Sequence, residues 1–323
     1  MDTIPDLSIA VIQALQNFSP VLDGLTRFFS AISSPGFYIL LVPPVYWALD
    51  KKLGKVTLLA LLGSAFLGLC LKQLQGQPRP YWLGLVQALD TDATYGAPST
   101  NAMDSLVVLG YLAYRLKKDW LWAAAGLTVV LIGFSRLYLG VQFPLSILSG
   151  WLLGLGILFL VIGCERRPLP GWAARLVERQ VESALAVSLL MILTGWAIGR
   201  LIANTPDPAA WAAFATDGRS LREYFTFAGA FFGTVNGYWL MQARADFQVR
   251  GTLRAKAARC LVGFAGMVLI YTSLGWVIEL TGVPESLPGY LLRYLQLALL
   301  AFWVLFGAPW TFLRLRLAQS SFV

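Results

Sequence analysis

The sequence predicts an all-α, polytopic membrane helical bundle of about nine spans. Of its 323 residues 57% are hydrophobic and only 13% charged, with a mean hydropathy of +0.65; a soluble domain carries roughly a quarter charged residues. The apolar residues come in blocks near the ~20 that a bilayer's hydrocarbon core demands of a helix, not in an alternating or one-faced pattern. Basic residues follow those blocks. With the loop after the first span placed in the cytoplasm, 17 of the 25 Lys and Arg residues fall in cytoplasmic segments, the positive-inside bias repeated at every loop.

The spans are read at 35–49, 56–72, 101–116, 119–135, 144–164, 183–202, 221–242, 260–280 and 289–313. Ahead of them, 7–16 and 20–32 read as short amphipathic helices at the membrane interface, with Leu7, Val11, Ala14 and Leu15 on one face and Gln13, Gln16 and Asn17 on the other. The alternative joins them to the first block as an additional span. The cytoplasmic clusters are Lys51, Lys52 and Lys55; Arg115, Lys117 and Lys118; Arg166, Arg167, Arg175 and Arg179; Arg244, Arg250, Arg254, Lys256 and Arg259; then Arg314 and Arg316. This layout puts the C-terminus in the cytoplasm and the loops 72–101 and 136–144 on the periplasmic or lumenal side. The net charge of +8 then reads as topology and attraction to anionic lipid, not as nucleic-acid binding. Cys70, Cys164 and Cys260 have no metal-ligand or disulfide spacing, so neither a metal nor a cofactor is expected. Asp2 and Asp6 stand where a signal peptide would be basic.

The chemistry concentrates on the two outer loops. Lys72 ends the second span and Arg79-Pro80 follows; Pro98-Ser99-Thr100-Asn101 opens the third. Ser135-Arg136 ends the fourth, and Gln142-Phe143-Pro144 leads into the fifth, with Ser146 one turn inside. Three cations thus sit at helix ends on one membrane face. Ser99 and Thr100 lie at a helix start, where free backbone N–H groups and the helix dipole favour an anion, and Ser99 or Asn101 is placed to cap it. Arginine offers bidentate contacts to phosphate and lysine a point charge. Any one of these cations alone is as well explained by snorkelling to the interface. Their shared face and spacing favour a phosphate cradle.

That order, K-x6-R-P, P-S-x-x, S-R-x5-Q-x3-S, resembles the type 2 phosphatidic acid phosphatase superfamily, which includes lipid phosphate phosphatases and vanadium haloperoxidases. Its signature is K-x6-R-P, P-S-G-H, S-R-x5-H-x3-D. The resemblance spans about residues 36–164 and divides the chain into interfacial helices (1–33), a phosphatase-like core (34–165) and a C-terminal membrane region of about four spans (166–323). It implies phosphate binding by Lys72, Arg79, Ser99 and Arg136, with the Thr100 backbone in the glycine's place. It also implies a phosphorylated lipid partner in the bilayer, an isoprenoid phosphate such as undecaprenyl phosphate or a glycerolipid phosphate.

The departures fall on the catalytic set. Asn101 stands at the general-acid histidine, Gln142 at the nucleophilic histidine and Ser146 at the orienting aspartate, and the chain contains no histidine at all. An amide neither titrates near neutral pH nor forms a phospho-enzyme bond. The expectation is therefore a catalytically degenerate protein, leaning away from an enzyme, that binds a phosphorylated headgroup as carrier, sensor or partner subunit. The alternative is an active lipid phosphatase or phosphotransferase with a histidine-independent mechanism, for which Asp104, one turn beyond Asn101, is the candidate nucleophile; ordinary helix-dipole compensation explains it better.

Elsewhere the bland readings lead. Tyr81, Trp82 and Tyr95 in the 80–97 loop read as an interfacial aromatic belt, with a lid over the headgroup as the alternative. Asp90 and Asp92 read as solvated loop charge, with cation binding as the alternative. Gly229, Gly233 and Gly237 form a small-residue face for close helix packing, and Asn236 and Glu223 read as packing or capping groups. Residues 243–259 fit an interfacial anchor. The extra spans leave a homodimer, a lateral lipid entrance and a transport route all open.

Overall fold

The computed structural model describes residues 6–166, 179–244, 246–282 and 285–320. Asp2, Arg167 and Arg175 lie outside them. Every predicted span falls on a helix: α1 Asp6–Gln16, α2 Asp23–Ile32, α3 Pro35–Pro44 continued by a π-helical turn Val45–Leu49, α4 Lys51–Gln75, α5 Thr100–Leu116, α6 Asp119–Tyr138, α7 Pro144–Arg166, α8 Gln180–Leu201, α9 Arg222–Arg244, α10 Leu253–Leu280, α11 Leu287–Phe302 with a π-turn Trp303–Gly307, and α12 Ala308–Arg314. Among the described residues six helical stretches, one of them α11 continued through its π-turn into α12, are long and apolar enough to cross a membrane, and α2 with α3 forms a bent pair that would add a seventh. Two predicted spans are less clear-cut. α5 has only 17 residues, and α9 carries Arg222, Glu223, Asn236 and Gln242. The protein is an all-helical integral membrane protein.

The chain divides into two units. The first comprises 1–38, 63–163 and 197–220. In it α5 lies against α6, and α2 and α1 also pack on α6. Two glycines set the fit of α7 against the start of α5. A Cβ at Gly150 would sit 2.5 Å from the Ser99 carbonyl oxygen, and one at Gly154 would sit 2.9 Å from that of Met103. Contacts that short have no room for any side chain, so the α5 N-terminus is seated directly on the α7 backbone.

The second unit comprises 39–62, 164–196 and 221–323. α9 and α11 meet backbone to backbone, as the predicted glycine face requires: a Cβ at Gly229 would collide with the Tyr294 carbonyl oxygen, and one at Gly233 with that of Ala298. The proposed anchor at 243–259 needs one correction. Arg244, Arg250 and Arg254 are exposed, but Arg259 is fully buried. It donates to the carbonyls of Leu317, Trp47, Val249 and Arg250, which gather a buried guanidinium in place of lipid headgroups.

Candidate functional site

Every sequence-predicted site residue falls within the first unit. Lys72 lies in the last turn of α4, Arg79 just before a 3-10 turn at Pro80–Leu83, and Arg136 in the last turn of α6. Ser99 caps α5: its Oγ accepts the Ala102 N–H at 3.4 Å, and its own N–H donates to the Ser146 carbonyl at 2.9 Å. Such a cap contributes about 0.5–2 kcal/mol and leaves other first-turn amides of α5 without intrahelical partners. The Thr100 methyl group points towards Gly68 of α4.

Lys72, Arg79 and Arg136 are all buried, and one short loop gathers them. Lys72 Nζ and Arg79 Nη2 donate to the same Thr94 hydroxyl, at 3.1 and 3.0 Å. Arg79 further donates to the carbonyls of Thr94 (2.7 Å), Val141 (2.9 Å) and Tyr95 (3.2 Å). The Asp92 carboxylate lies 2.7 Å from Arg79 Nη2 and 3.6 Å from Arg136 Nη2. Arg136 Nη1 donates to Ser30 Oγ at 2.8 Å and pairs with Asp90 at 3.4 Å. Asp92 is thus not solvated loop charge, because Arg79 and Arg136 draw it inward; Asp90 pairs with Arg136 but keeps its side chain 39% exposed. Burial by itself would raise the Asp92 carboxyl, but the Arg79, Lys72 and Arg136 charges and the Thr94 N–H overcome it and hold it below the usual carboxylate range.

The replaced catalytic positions differ from one another. Asn101 Nδ2 donates to the Ser33 hydroxyl at 2.9 Å and to its carbonyl at 3.2 Å. Gln142 is buried, and neither end of its amide has a partner; Arg136 Nε is likewise buried and unpartnered. Buried polar atoms usually find partners, so these point to a ligand. Asp104 is buried and accepts from the Ser64 hydroxyl, an internal tie for the candidate nucleophile. Among the described residues no group of three or more Cys, Asp or Glu side chains is placed to hold a metal ion.

The aromatic belt also needs correcting. Trp82 and Tyr95 are buried, packed with Trp211 and Phe214 from the 202–220 segment. That segment supplies the cover that lipid was expected to supply. Its Arg219 grips Asp207 with two nitrogens, at 3.0 and 2.7 Å, and donates to the Tyr95 hydroxyl at 3.0 Å. Tyr95 in turn donates to Asp207 at 2.9 Å. Burial, and then the Asp207 bond, push the Tyr95 hydroxyl up to about 12. Since the Tyr95 carbonyl accepts from Arg79, this network buttresses the cradle. Ser30, Ser33, Thr94, Asp207 and Arg219 were missed in the sequence, where no spacing ties them to the motifs.

Comparison with known proteins converges on one family. The "PAP2 superfamily" model matches residues 54–168, and the "PAP2 superfamily phosphatase, transmembrane extension" model matches 225–320. Among curated proteins, the chain is 29% identical to "Lipid phosphate phosphatase delta" of Arabidopsis thaliana, over 46% of this chain and 39% of that protein. It is 31% identical to the "Undecaprenyl-diphosphatase" of Sulfolobus acidocaldarius, over 36% of this chain and 56% of that protein. The chain therefore spans about two fifths to somewhat over half of the length of these relatives. Among solved structures, a "transmembrane PAP2 type phosphatidylglycerolphosphate phosphatase from Bacillus subtilis" aligns with a TM-score of 0.47 at 24% identity, over 53% of this chain and 90% of that one.

Proposed function

We propose that this chain, which belongs to the PAP2 superfamily, binds a phosphorylated lipid headgroup on the non-cytoplasmic membrane face without hydrolysing it. Its role is that of a carrier, sensor or partner subunit. The observation that carries this reading is one buried cluster: Lys72, Arg79 and Arg136 are gathered around the Asp92 carboxylate and the Thr94 hydroxyl, and Arg136 Nε and the Gln142 amide are buried without partners. Charge-assisted hydrogen bonds of the kind these cations make contribute about 1.5–3 kcal/mol each. A glutamine can hydrogen-bond a phosphate oxygen but carries no proton that titrates near neutrality and is no nucleophile. The relatives' names, a lipid phosphate phosphatase and an undecaprenyl-diphosphatase, support a glycerolipid or isoprenoid phosphate as the ligand class. The basic loops support the orientation, with the site outside and the C-terminus in the cytoplasm.

Two measurements on the purified protein test this. Lipid binding should favour phosphorylated over neutral lipids of matched chain length. Phosphate release from long-chain lipid phosphates should be absent in the wild type and gained by the triple change Asn101→His, Gln142→His, Ser146→Asp. Wild-type hydrolysis at ordinary phosphatase rates would overturn the non-hydrolysing reading in favour of an active enzyme.

A further inference from the structure

The anion position of the cradle already has an occupant, supplied by the chain itself. Asp92 places Oδ2 at 2.7 Å from Arg79 Nη2 and 3.6 Å from Arg136 Nη2. Its Oδ1 accepts the Thr94 N–H at 3.0 Å and the Thr94 hydroxyl at 2.9 Å. That hydroxyl is the one Lys72 and Arg79 share, so the carboxylate closes a ring of charge-assisted bonds around all three cations. The ring is incomplete in one respect. Arg136 Nε and both ends of the Gln142 amide remain buried without partners. A carboxylate has two oxygens to offer, whereas a terminal phosphate has three.

We propose that Asp92 is the resident anion of this cradle and the competitor every ligand must displace: a phosphorylated headgroup binds by exchange with the Asp92 carboxylate. The inference rests on the headgroup-binding reading above. Lys72, Arg79 and Arg136 face Asp90 and Asp92, with the buried Asp104 also near Lys72, so most of their charge is already offset. A singly charged phosphodiester that displaces Asp92 replaces one negative charge with another and gains nothing in charge. A terminal phosphate monoester carries about −1.5 to −2 at neutral pH, so the exchange leaves a net electrostatic gain. Its third oxygen also supplies an acceptor for a buried donor left over, Arg136 Nε or Gln142 Nε2. The Asp92 side chain is 26% exposed, which gives it a way out to solvent. The Thr94 and Tyr95 carbonyls still hold Arg79 after it leaves.

The test uses the full-length protein in lipid nanodiscs. Inorganic phosphate, vesicles containing phosphatidic acid (a monoester) and vesicles containing phosphatidylglycerol (a diester) are the probes. Asp92→Asn keeps an Oδ1 acceptor for Thr94 and removes the charge. It should bind inorganic phosphate about tenfold or more tighter than the wild type, because a neighbouring like charge has gone. Because either headgroup displaces the same carboxylate, its affinity for the phosphatidylglycerol diester should rise by a similar factor. Asp90→Asn should change phosphate affinity by less than about threefold, since among the three cations Asp90 pairs only with Arg136, at 3.4 Å, and is 39% exposed. In the wild type, phosphatidic acid should speed deuterium exchange at the Thr94 amide as Asp92 lets go; this readout does not depend on the variant folding. An Asp92→Asn protein that binds phosphate no tighter than the wild type overturns the exchange, as does a Thr94 amide that stays protected. If the wild type binds lipid phosphate normally in that case, the headgroup reading survives. If neither protein binds any of the probes, both fall.

Discussion

Arg79 and Arg259 are both fully buried arginines, and their surroundings differ in kind. Arg259 donates to four backbone carbonyls, those of Leu317, Trp47, Val249 and Arg250. Those acceptors are fixed by the fold and cannot be traded for a ligand. Arg79 also has carbonyl partners, but its Nη2 rests on two side chains, Asp92 and Thr94. It shares them with Lys72 and, through Asp92, with Arg136. Three like charges held together disfavour one another, and only an anion relieves that. A guanidinium saturated by backbone braces a structure; cations gathered around one replaceable carboxylate are what the proposed headgroup exchange requires.

The largest expected effect would break that contrast if it failed. Arg136→Ala should weaken lipid-phosphate binding by roughly a hundredfold, the loss of about two charge-assisted bonds of some 1.5 kcal/mol each. Arg259→Ala leaves four carbonyls short of a donor and should lower stability by about 3 kcal/mol while leaving the preference for phosphorylated over neutral lipid intact. Thermal melts and lipid binding on the same preparations separate the two. If Arg259→Ala lost the preference while keeping its melting temperature, the division between brace and site would be wrong.

A smaller effect is expected at the buttress. Arg219→Gln removes the bidentate grip on Asp207 and the bond to the Tyr95 hydroxyl. Arg219 and Asp207 are partly exposed, so solvent screening limits the cost to about 1 kcal/mol. Phosphate affinity should fall by less than about tenfold, through a looser Tyr95 carbonyl under Arg79. Faster deuterium exchange across 93–96 would carry the signature of positioning. Unchanged exchange together with unchanged affinity would show that the aromatic cluster alone holds the loop.

The cradle's cations and cap were legible in the sequence because each sits at the end of a helix. Lys72, Ser99 and Arg136 are placed by helix length and a common membrane face, and Arg79 by a Pro80 turn that follows at once. The groups that hold them were not legible. Asp92 and Thr94 lie in an irregular loop whose path follows from the cations it meets, and Ser30 sits on a helix that reads as an interfacial amphipath. Trp82 and Tyr95 carry the composition of an aromatic belt, and only the distant 202–220 segment turns them inward. The glycine face of α9 was readable because a four-residue period maps directly onto one side of a helix, whereas the burial of Arg259 depends on carbonyls far away in sequence.

The smallest expected effect is an absence of change, and it sharpens the role of Asp92. Its carboxyl is held below the usual range by the Arg79, Lys72 and Arg136 charges. A group with a depressed folded-state pKa contributes stability above its unfolded value, near 3.9, and loses it only as the pH falls through the folded value. Between about pH 5 and 8 Asp92 is therefore charged throughout, and its competition with an incoming anion should be constant. Sulfate makes a suitable probe, since it is a tetrahedral dianion over that whole range. The ratio of sulfate affinities, Asp92→Asn over wild type, should stay constant within about twofold from pH 5 to 8. A ratio that collapses towards one as the pH drops to 5 would mean that Asp92 takes up a proton there. The cations would then hold it far less tightly than the 2.7 Å contact with Arg79 implies.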